Sequence, residues 1–385
     1  MNADERRCAL ALSRMGYHNI TVLRELYNAW GSMADIVKQH AHPEQLAPNM
    51  PERLLAAFAH TDEHLKRADE EMRFAQDNNI SIITLADEAY PQRLKACFDA
   101  PLALFFKGNA NLNAKHCISI VGTRKATPYA ADCIAQLTDR LKQLCPDMLI
   151  VSGLAYGVDI MAHRQAIDHA LPTVAVLAHG LDTLYPARHR KEATLMMQNG
   201  GLLTEYFSQS KIDKRNFLQR NRIVAGMSAA TLLVESAEHG GGLVTCRLAQ
   251  SYQHDVFAFP GSINNPYSVG CNRLIRDNMA GLVTSAEDIL KAMAWEEDMK
   301  ETVATNGASS MGSSVLGAMS SSTAQVPNGA QGVLDVLTKE NDLHIDIIAT
   351  RAGLPVNKVL ALLFQLEMSG MVSSLSGGRY HKVNS

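Results

Sequence analysis

The chain has 385 residues and a mass of 42.0 kDa, with 46% hydrophobic and 19% charged residues and a formal net charge of −3. At roughly 100–200 residues per domain this is a globular protein of about two to four domains, which excludes wholesale disorder. A net-acidic chain is no diffuse binder of polyanions, so any nucleic-acid site has to be a local patch.

The segment Met1–Leu10 carries Asp4 and Glu5 where a signal peptide needs an apolar core, and no apolar run approaches the roughly 20 residues of a membrane span. The expected location is the cytoplasm, with no membrane contact. Residues 1–78 read as a small helical module. Leu10, Leu12, Ile20, Leu23, Leu26, Ile36 and Val37 recur at helical spacing, with breaks at Gly16 and Gly31. From 79 to 297 short β-rich runs alternate with helical stretches: Ile118–Val121, Leu149–Val151, Thr173–Ala178, Leu202–Thr204, Thr231–Val234 and Asp255–Phe259. Strands alternating with helices predict βαβ units and a mostly parallel α/β sheet covered on both faces. A flexible Ser/Gly linker is expected over 298–330, because 302–330 hold seven serines, four glycines and no Asp, Glu, Lys or Arg. Order returns at 331–385. Val333–Leu337 is amphipathic, Ile345–Ala352 and Val356–Ser369 read as helices split at Gly353-Leu354-Pro355, and Met371–Leu375 and Arg379–Val383 read as a hairpin. That is a winged-helix pattern.

Ligands of open parallel sheets bind beyond the carboxyl ends of the strands, so the residues after each strand carry the chemistry. They are Gly122-Thr123-Arg124-Lys125, Ser152-Gly153-Leu154-Ala155-Tyr156-Gly157, His179-Gly180-Leu181-Asp182 with Tyr185-Pro186, Glu205-Tyr206, Glu235 with Gly240-Gly241-Gly242-Leu243-Val244-Thr245, and Pro260-Gly261-Ser262. Glycine loops feeding helix N-termini offer backbone N–H groups and a positive dipole end to phosphates. The dinucleotide fingerprint G-x-G-x-x-G and the Walker loop are both absent, which argues against a nicotinamide enzyme or an ATPase.

The run Lys211–Arg222 carries five positive charges and one negative, with Phe217 inside it. Cations beside a ring suit single-stranded nucleic acid; the alternative is a solvated helix face with Phe217 turned into the core. Catalysis has little support. Asp159 and His163 share a helix face and read as a hydrogen bond or cap. Glu205 and Glu235 form a candidate carboxylate pair without a nucleophile. Cys246 and Cys271 read as small apolar fillers. Seven scattered cysteines, with no C-x-x-C and no H-E-x-x-H, give neither a disulfide framework nor a zinc site.

These residues resemble the DNA-processing protein A (DprA/Smf) family. The motifs are Val121-Gly122-Thr123-Arg124, Ser152-Gly153-Leu154-Ala155-x-Gly157-x-Asp159 with Ala162-His163, and Leu181-Asp182-x-x-Tyr185-Pro186. Phe217-x-x-Arg220-Asn221-Arg222-Ile223-Val224-Ala225-Gly226, Pro260-Gly261 and Gly270-x-Asn272-x-Leu274-Ile275 continue the pattern. The resemblance implies a SAM-like helical module, a Rossmann-like core and a winged helix. It implies a non-enzymatic protein that binds single-stranded DNA, protects incoming strands in natural transformation and loads the RecA recombinase, acting as a homodimer and without a cofactor. By motif, Gly122, Thr123 and Arg124 would hold phosphates. Lys214 and Phe217 would contact the strand, Arg220 and Arg222 would add positive field, and Asn221 would add a hydrogen bond. Gly241, Gly242, Leu243 and Thr245 would form a backbone anion site. The sequence departs from the family's Ser-Gly-Ser-Leu-x-Thr at this last loop, where two hydroxyls are replaced by glycines. The competing expectation is a nucleotide-binding or nucleotide-cleaving enzyme of the phosphoribohydrolase type. Glu238-His239-Gly240-Gly241-Gly242 lacks that group's proline, and no Glu follows Thr245 at the required place.

Overall fold

The structure is a computed structural model that describes residues 3–17, 19–47, 50–296, 329–375 and 377–383. Its contacts divide the chain into two compact units, Met1–Met299 and Lys300–Ser385. The linker expected over 298–330 lies outside the described residues apart from Gly329 and Ala330.

The first unit opens with helices α1 (Ala3–Met15), α2 (Ile20–Trp30), α3 (Met33–Lys38), α4 (Glu52–Phe58) and α5 (Thr61–Asp77). Gly31 ends α2 in the left-handed region, and Ser32 caps α3 by accepting from the Asp35 amide. These helices do not close a core of their own. Their buried residues Leu10, Leu12, Leu54 and Phe58 join one apolar cluster with Leu104, Val151, Val176 and Leu233 of the sheet. Polar ties reinforce the seam: Glu71 of α5, itself buried, accepts from the Ser208 amide at 2.8 Å and the Ser208 hydroxyl at 2.6 Å.

The sheet has nine strands: β1 (Ser81–Thr84), β2 (Ala103–Gly108), β3 (Cys117–Val121), β4 (Leu149–Ser152), β5 (Thr173–Val176), β6 (Gly200–Thr204), β7 (Ala230–Leu233), β8 (Asp255–Ala258) and β9 (Gly281–Leu282). Their order is β1-β2-β6-β5-β4-β3-β7-β8-β9. The seven strands from β6 to β9 are parallel, as the alternating pattern predicts, and β1 and β2 add an antiparallel edge. All six expected strands are present. Helices α6 (Gln92–Ala96), α7 (Pro128–Leu144), α8 (Val158–Asp168), α9 (Arg190–Met196), α10 (Lys214–Met227), α11 (Gly241–Ser251), α12 (Val269–Arg276) and α13 (Ala286–Ala292) complete the unit. The central strands are buried on both faces, which is why they read as unbroken apolar runs. Val121, Val151 and Leu233 face the cluster shared with α10 and α11; Ile120, Ile150 and Leu232 face a second cluster with α7, α8 and α13.

Chain direction across the sheet reverses beside β3, with β4 to β6 on one side and β7 to β9 on the other. The carboxyl ends of β3 and β7 therefore flank a topological switch point, where such sheets open a crevice.

The second unit is a winged helix. Helices Gln331–Lys339, Ile345–Ala352 and Val356–Met368 enclose Val333, Leu337, Ile348, Val359 and Leu363, and the hairpin Val372–Leu375 with Arg379–Lys382 pairs antiparallel. Gly353 at φ 64° ends the second helix before Pro355 starts the third. No single helix among the described residues is long and apolar enough to cross a membrane.

Candidate nucleic-acid interface

A cleft of about 540 Å³ opens at the switch point. Two glycines allow its walls to close up. Gly157 has φ +76°, and a Cβ there would lie 2.2 Å from the Thr123 carbonyl, so the start of α8 presses directly on the loop after β3. The Val158 amide donates to that same carbonyl at 3.1 Å. A Cβ on Gly242 would lie 2.7 Å from Leu233 Cδ1 and 3.1 Å from Gly122 Cα, so the N-terminus of α11 is seated against the same loop. The orphan amides at the start of α11 and its positive dipole end thus border the cleft at Gly240, Gly241 and Gly242.

The third wall is α10. Asp213 caps it, accepting from the Arg215 amide at 2.8 Å. Lys214, Phe217 and Asn221 fall at i, i+3 and i+7, one helical face, and all three line the cleft. Lys214 is exposed, and Phe217 is half-buried. The Phe217 ring lies between two groups from other loops. The Arg124 guanidinium stands 5.6 Å from its centroid, and the Tyr185 ring meets it edge-on at 5.8 Å. Tyr185 is itself 45% exposed. An exposed cation, a half-open aromatic face and a helix N-terminus converge on one opening; Lys125 and Lys211 on adjoining loops and Arg215 in the first turn of α10 are exposed as well.

The floor is held by buried ion chemistry. Arg220, 3% exposed, donates to the Gly153 carbonyl at 2.6 Å and to the Val176 carbonyl, pinning the ends of β4 and β5. Burial pulls its pKa below the ordinary arginine value, against the opposing pull of Asp159. Burial raises the Asp159 carboxyl, while Arg220 and the backbone N–H groups of Ala155 and Gly153 act the other way. His163 accepts or donates at 2.8 Å to the Thr173 hydroxyl, and burial holds it neutral, down to about 3.

Comparison with known proteins places this architecture. The family model described as DNA recombination-mediator protein A matches residues 81–294, more than half the chain, and that of the DprA winged helix domain matches residues 318–378. Protein Smf of Escherichia coli strain K12 is 33% identical over 318 residues, which cover 81% of this chain and 80% of the relative.

The chain belongs to the DNA-processing protein A family.

A DprA of Streptococcus pneumoniae is 36% identical over 207 residues, 54% of this chain and 72% of that protein. The X-ray structure of DprA from S. pneumoniae superposes with a TM-score of 0.62 at 29% identity, covering 73% of this chain and 95% of that one. A second solved structure, on the single-stranded DNA binding mode of DprA from Helicobacter pylori, gives a TM-score of 0.51 at 29% identity, covering 56% of this chain and 96% of that one.

Within this DprA family member, the structure brings Gly122, Thr123, Arg124, Lys214, Phe217, Arg220, Asn221, Gly241, Gly242 and Thr245 to one cleft. Two expected roles need correction. Arg222 does not line the cleft: it pairs with Glu205 at 2.5 Å and donates to the Asp99 carbonyl. The Leu243 side chain is buried in the core, and the role expected of this residue is a backbone one. Arg220 reaches the cleft as a buried scaffold and not as an open cation. Thr123 is also partly engaged, its amide donating to the Glu235 carbonyl at 2.8 Å and its hydroxyl accepting from the Lys125 amide at 3.1 Å. The Thr245 hydroxyl turns back to the Gly241 carbonyl at 3.2 Å. Glu205 and Glu235 are no catalytic pair: the first holds Arg222, and the second accepts from the Thr127 amide and hydroxyl at 2.9 and 2.7 Å. Cys246 and Cys271 are buried in the core, their thiols pushed up by burial. Sequence reasoning gave Tyr185 no contact, although it stands both after a parallel strand and in the motif Leu181-Asp182-x-x-Tyr185-Pro186.

Proposed function

We propose that this chain binds single-stranded DNA in the cleft at the switch point, as a binding protein and not an enzyme. The carrying observation is Phe217, a half-open ring held between Arg124 and Tyr185 beside the α11 terminus. Ring faces stack on any base and cations meet any phosphate, so this combination is tolerant of sequence. In this reading Arg124 and Lys214 take phosphates, a base lies on Phe217, and the amides of Gly241, Gly242 and Leu243 hold a further phosphate. Gly122, Thr123 and Asn221 supply close contacts, and Arg220 fixes the loops. The H. pylori relative's reported single-strand binding supports the assignment.

The finer role follows the family: protection of incoming strands in transformation and loading of RecA, in the cytoplasm. A homodimer through the first unit suits the exposed apolar residues Met279 and Leu282 at the β9 edge strand. For the winged helix we favour protein contact over duplex reading. Its third helix, where a major-groove reader needs several cations, exposes Val356, Leu360, Phe364 and Met368 at four-residue spacing and offers only Lys358.

Fluorescence anisotropy with a labelled strand, against its blunt duplex at several salt concentrations, tests the reading. The single strand should bind more tightly, with a salt slope of a few phosphates. Equal affinity for the duplex would reject it.

A further inference from the structure

Beyond the cleft, the same edge of the sheet carries a second concentration of positive charge. The segment after β5 leads into the short helix α9, and the junction reads Arg188-His189-Arg190-Lys191. Arg188, Arg190 and Lys191 are exposed, and among the described residues none of these three side chains has a hydrogen-bond or ion-pair partner. The neighbouring acids are engaged elsewhere. Glu192 pairs with Arg164 at 2.8 Å, and Asp182 accepts from the Gln209 amide at 2.9 Å. Like charges set side by side repel one another, and a bound anion relieves that repulsion.

The buried member of the run, His189, ties this patch to the loops of the cleft. Its Nδ1 lies 2.9 Å from the Leu154 carbonyl in the loop after β4, and the Tyr156 ring meets its ring edge-on at 5.0 Å. Tyr156 is 42% exposed and directly precedes Gly157, which packs on Thr123 and Arg124. Tyr185, a wall of the cleft, comes three residues before Arg188, so no more than roughly 11 Å of chain separates the two. The loops concerned leave the four adjacent strands β7, β3, β4 and β5, which together span roughly 14 Å. In that order they present the α11 amides, then Arg124, then Tyr156, then Tyr185 with the three cations beyond it.

We propose that the strand held in the cleft continues across the loops after β4 and β5, with a base on Tyr156 and its phosphates at Arg188, Arg190 and Lys191. This rests on the single-strand reading above and extends it from one pocket to a track. An open ring beside unpaired cations repeats the chemistry of Phe217 with Arg124 and Lys214, and successive nucleotides need that pair again: a surface to stack on and a charge for the phosphate. An acidic protein surface would use the three cations but has no base to lay on the ring.

The test uses the full chain with oligo-dT of about 4 and about 16 nucleotides, the two ends of the usual range of site sizes. The variants are the triple Arg188→Gln, Arg190→Gln, Lys191→Gln, then Tyr156→Ala, and Arg124→Ala as the variant of the cleft. Thermal melts check that each folds. The triple variant should bind the long strand about tenfold more weakly, with its salt slope reduced by roughly 2, at about 0.7 per phosphate lost, and should bind the short strand like the parent. Tyr156→Ala should lose at least about fivefold on the long strand with the salt slope kept. Arg124→Ala should weaken both lengths. If it binds both like the parent while the triple variant still loses only the long strand, the cleft reading fails and DNA contact at the basic run stands. Three results would overturn the proposal. The triple variant may lose nothing at either length, as it would if the run meets an acidic protein instead. It may lose equally at both lengths. Or Tyr156→Ala may match the parent throughout, which removes the base from the ring.

Discussion

Replacing Phe217 by alanine separates base stacking from fold support. The ring is half-buried, with the Arg124 guanidinium at 5.6 Å and the Tyr185 ring at 5.8 Å from its centroid. Losing an exposed cation–π contact costs about 0.5–1 kcal/mol and losing an edge-on aromatic pair about 0.5–1.5 kcal/mol. Phe217→Ala should therefore lower stability by about 1–2 kcal/mol, well short of the roughly 3–5 kcal/mol of a buried core phenylalanine. Affinity for a single strand should fall by about 1–3 kcal/mol, the cost of one base stack. That is a loss of roughly 5- to 150-fold. The salt slope should hardly move, because no phosphate contact is removed. Anisotropy titrations at several salt concentrations, paired with denaturant melts, read all three quantities. A melt displaced by the full core amount, with the remaining folded protein binding normally, would show that the ring supports the fold and does not touch DNA.

Arg124→Ala should weaken binding by about 1–3 kcal/mol and shrink the salt slope by about one phosphate contact, read in the same titrations. Arg222→Ala should behave oppositely: it strands the buried Glu205 carboxylate, so denaturant melts should show a loss of about 3–5 kcal/mol while the folded fraction keeps its affinity. A fragment ending at Met299 should retain the single-strand affinity of the full chain; loss of binding on removing 331–385 would place the site elsewhere. The His163 contribution to stability should be full above its ordinary value of 6.5 and lost as pH falls toward about 3, because the unfolded chain accepts a proton that the folded protein resists. Urea melts across that window should show a shallower pH dependence for His163→Gln than for the parent.

Six of the seven parallel strands were legible because a strand buried on both faces leaves an unbroken apolar run flanked by turn residues; the seventh, β9, is two exposed residues and leaves no such run. The antiparallel edge was not legible either. Ser81–Thr84 and Ala103–Gly108 are equally short runs, and neither sits in a βαβ rhythm that would mark it. The glycine loops were legible as a set, since every one follows a strand and therefore lies on one edge. Arg222 was misread because a count of charges ignores helical phase: it follows Asn221 by one residue, about 100° further round α10, and faces Glu205. Arg220 shares the run's charge but is folded under the loop after β4, which only tertiary contacts show. The link between Tyr185 and Phe217 joins residues far apart in sequence, so no local pattern announces it.

Photocrosslinking with a strand carrying 5-iododeoxyuridine at successive positions, followed by peptide mapping, tests the location of the site most directly. Crosslinks should fall on Phe217 and Tyr185, and they should disappear from the first in Phe217→Ala while persisting on the second. Crosslinks confined to 331–385, or to the face of α10 that carries Arg222, would contradict the assignment of the cleft.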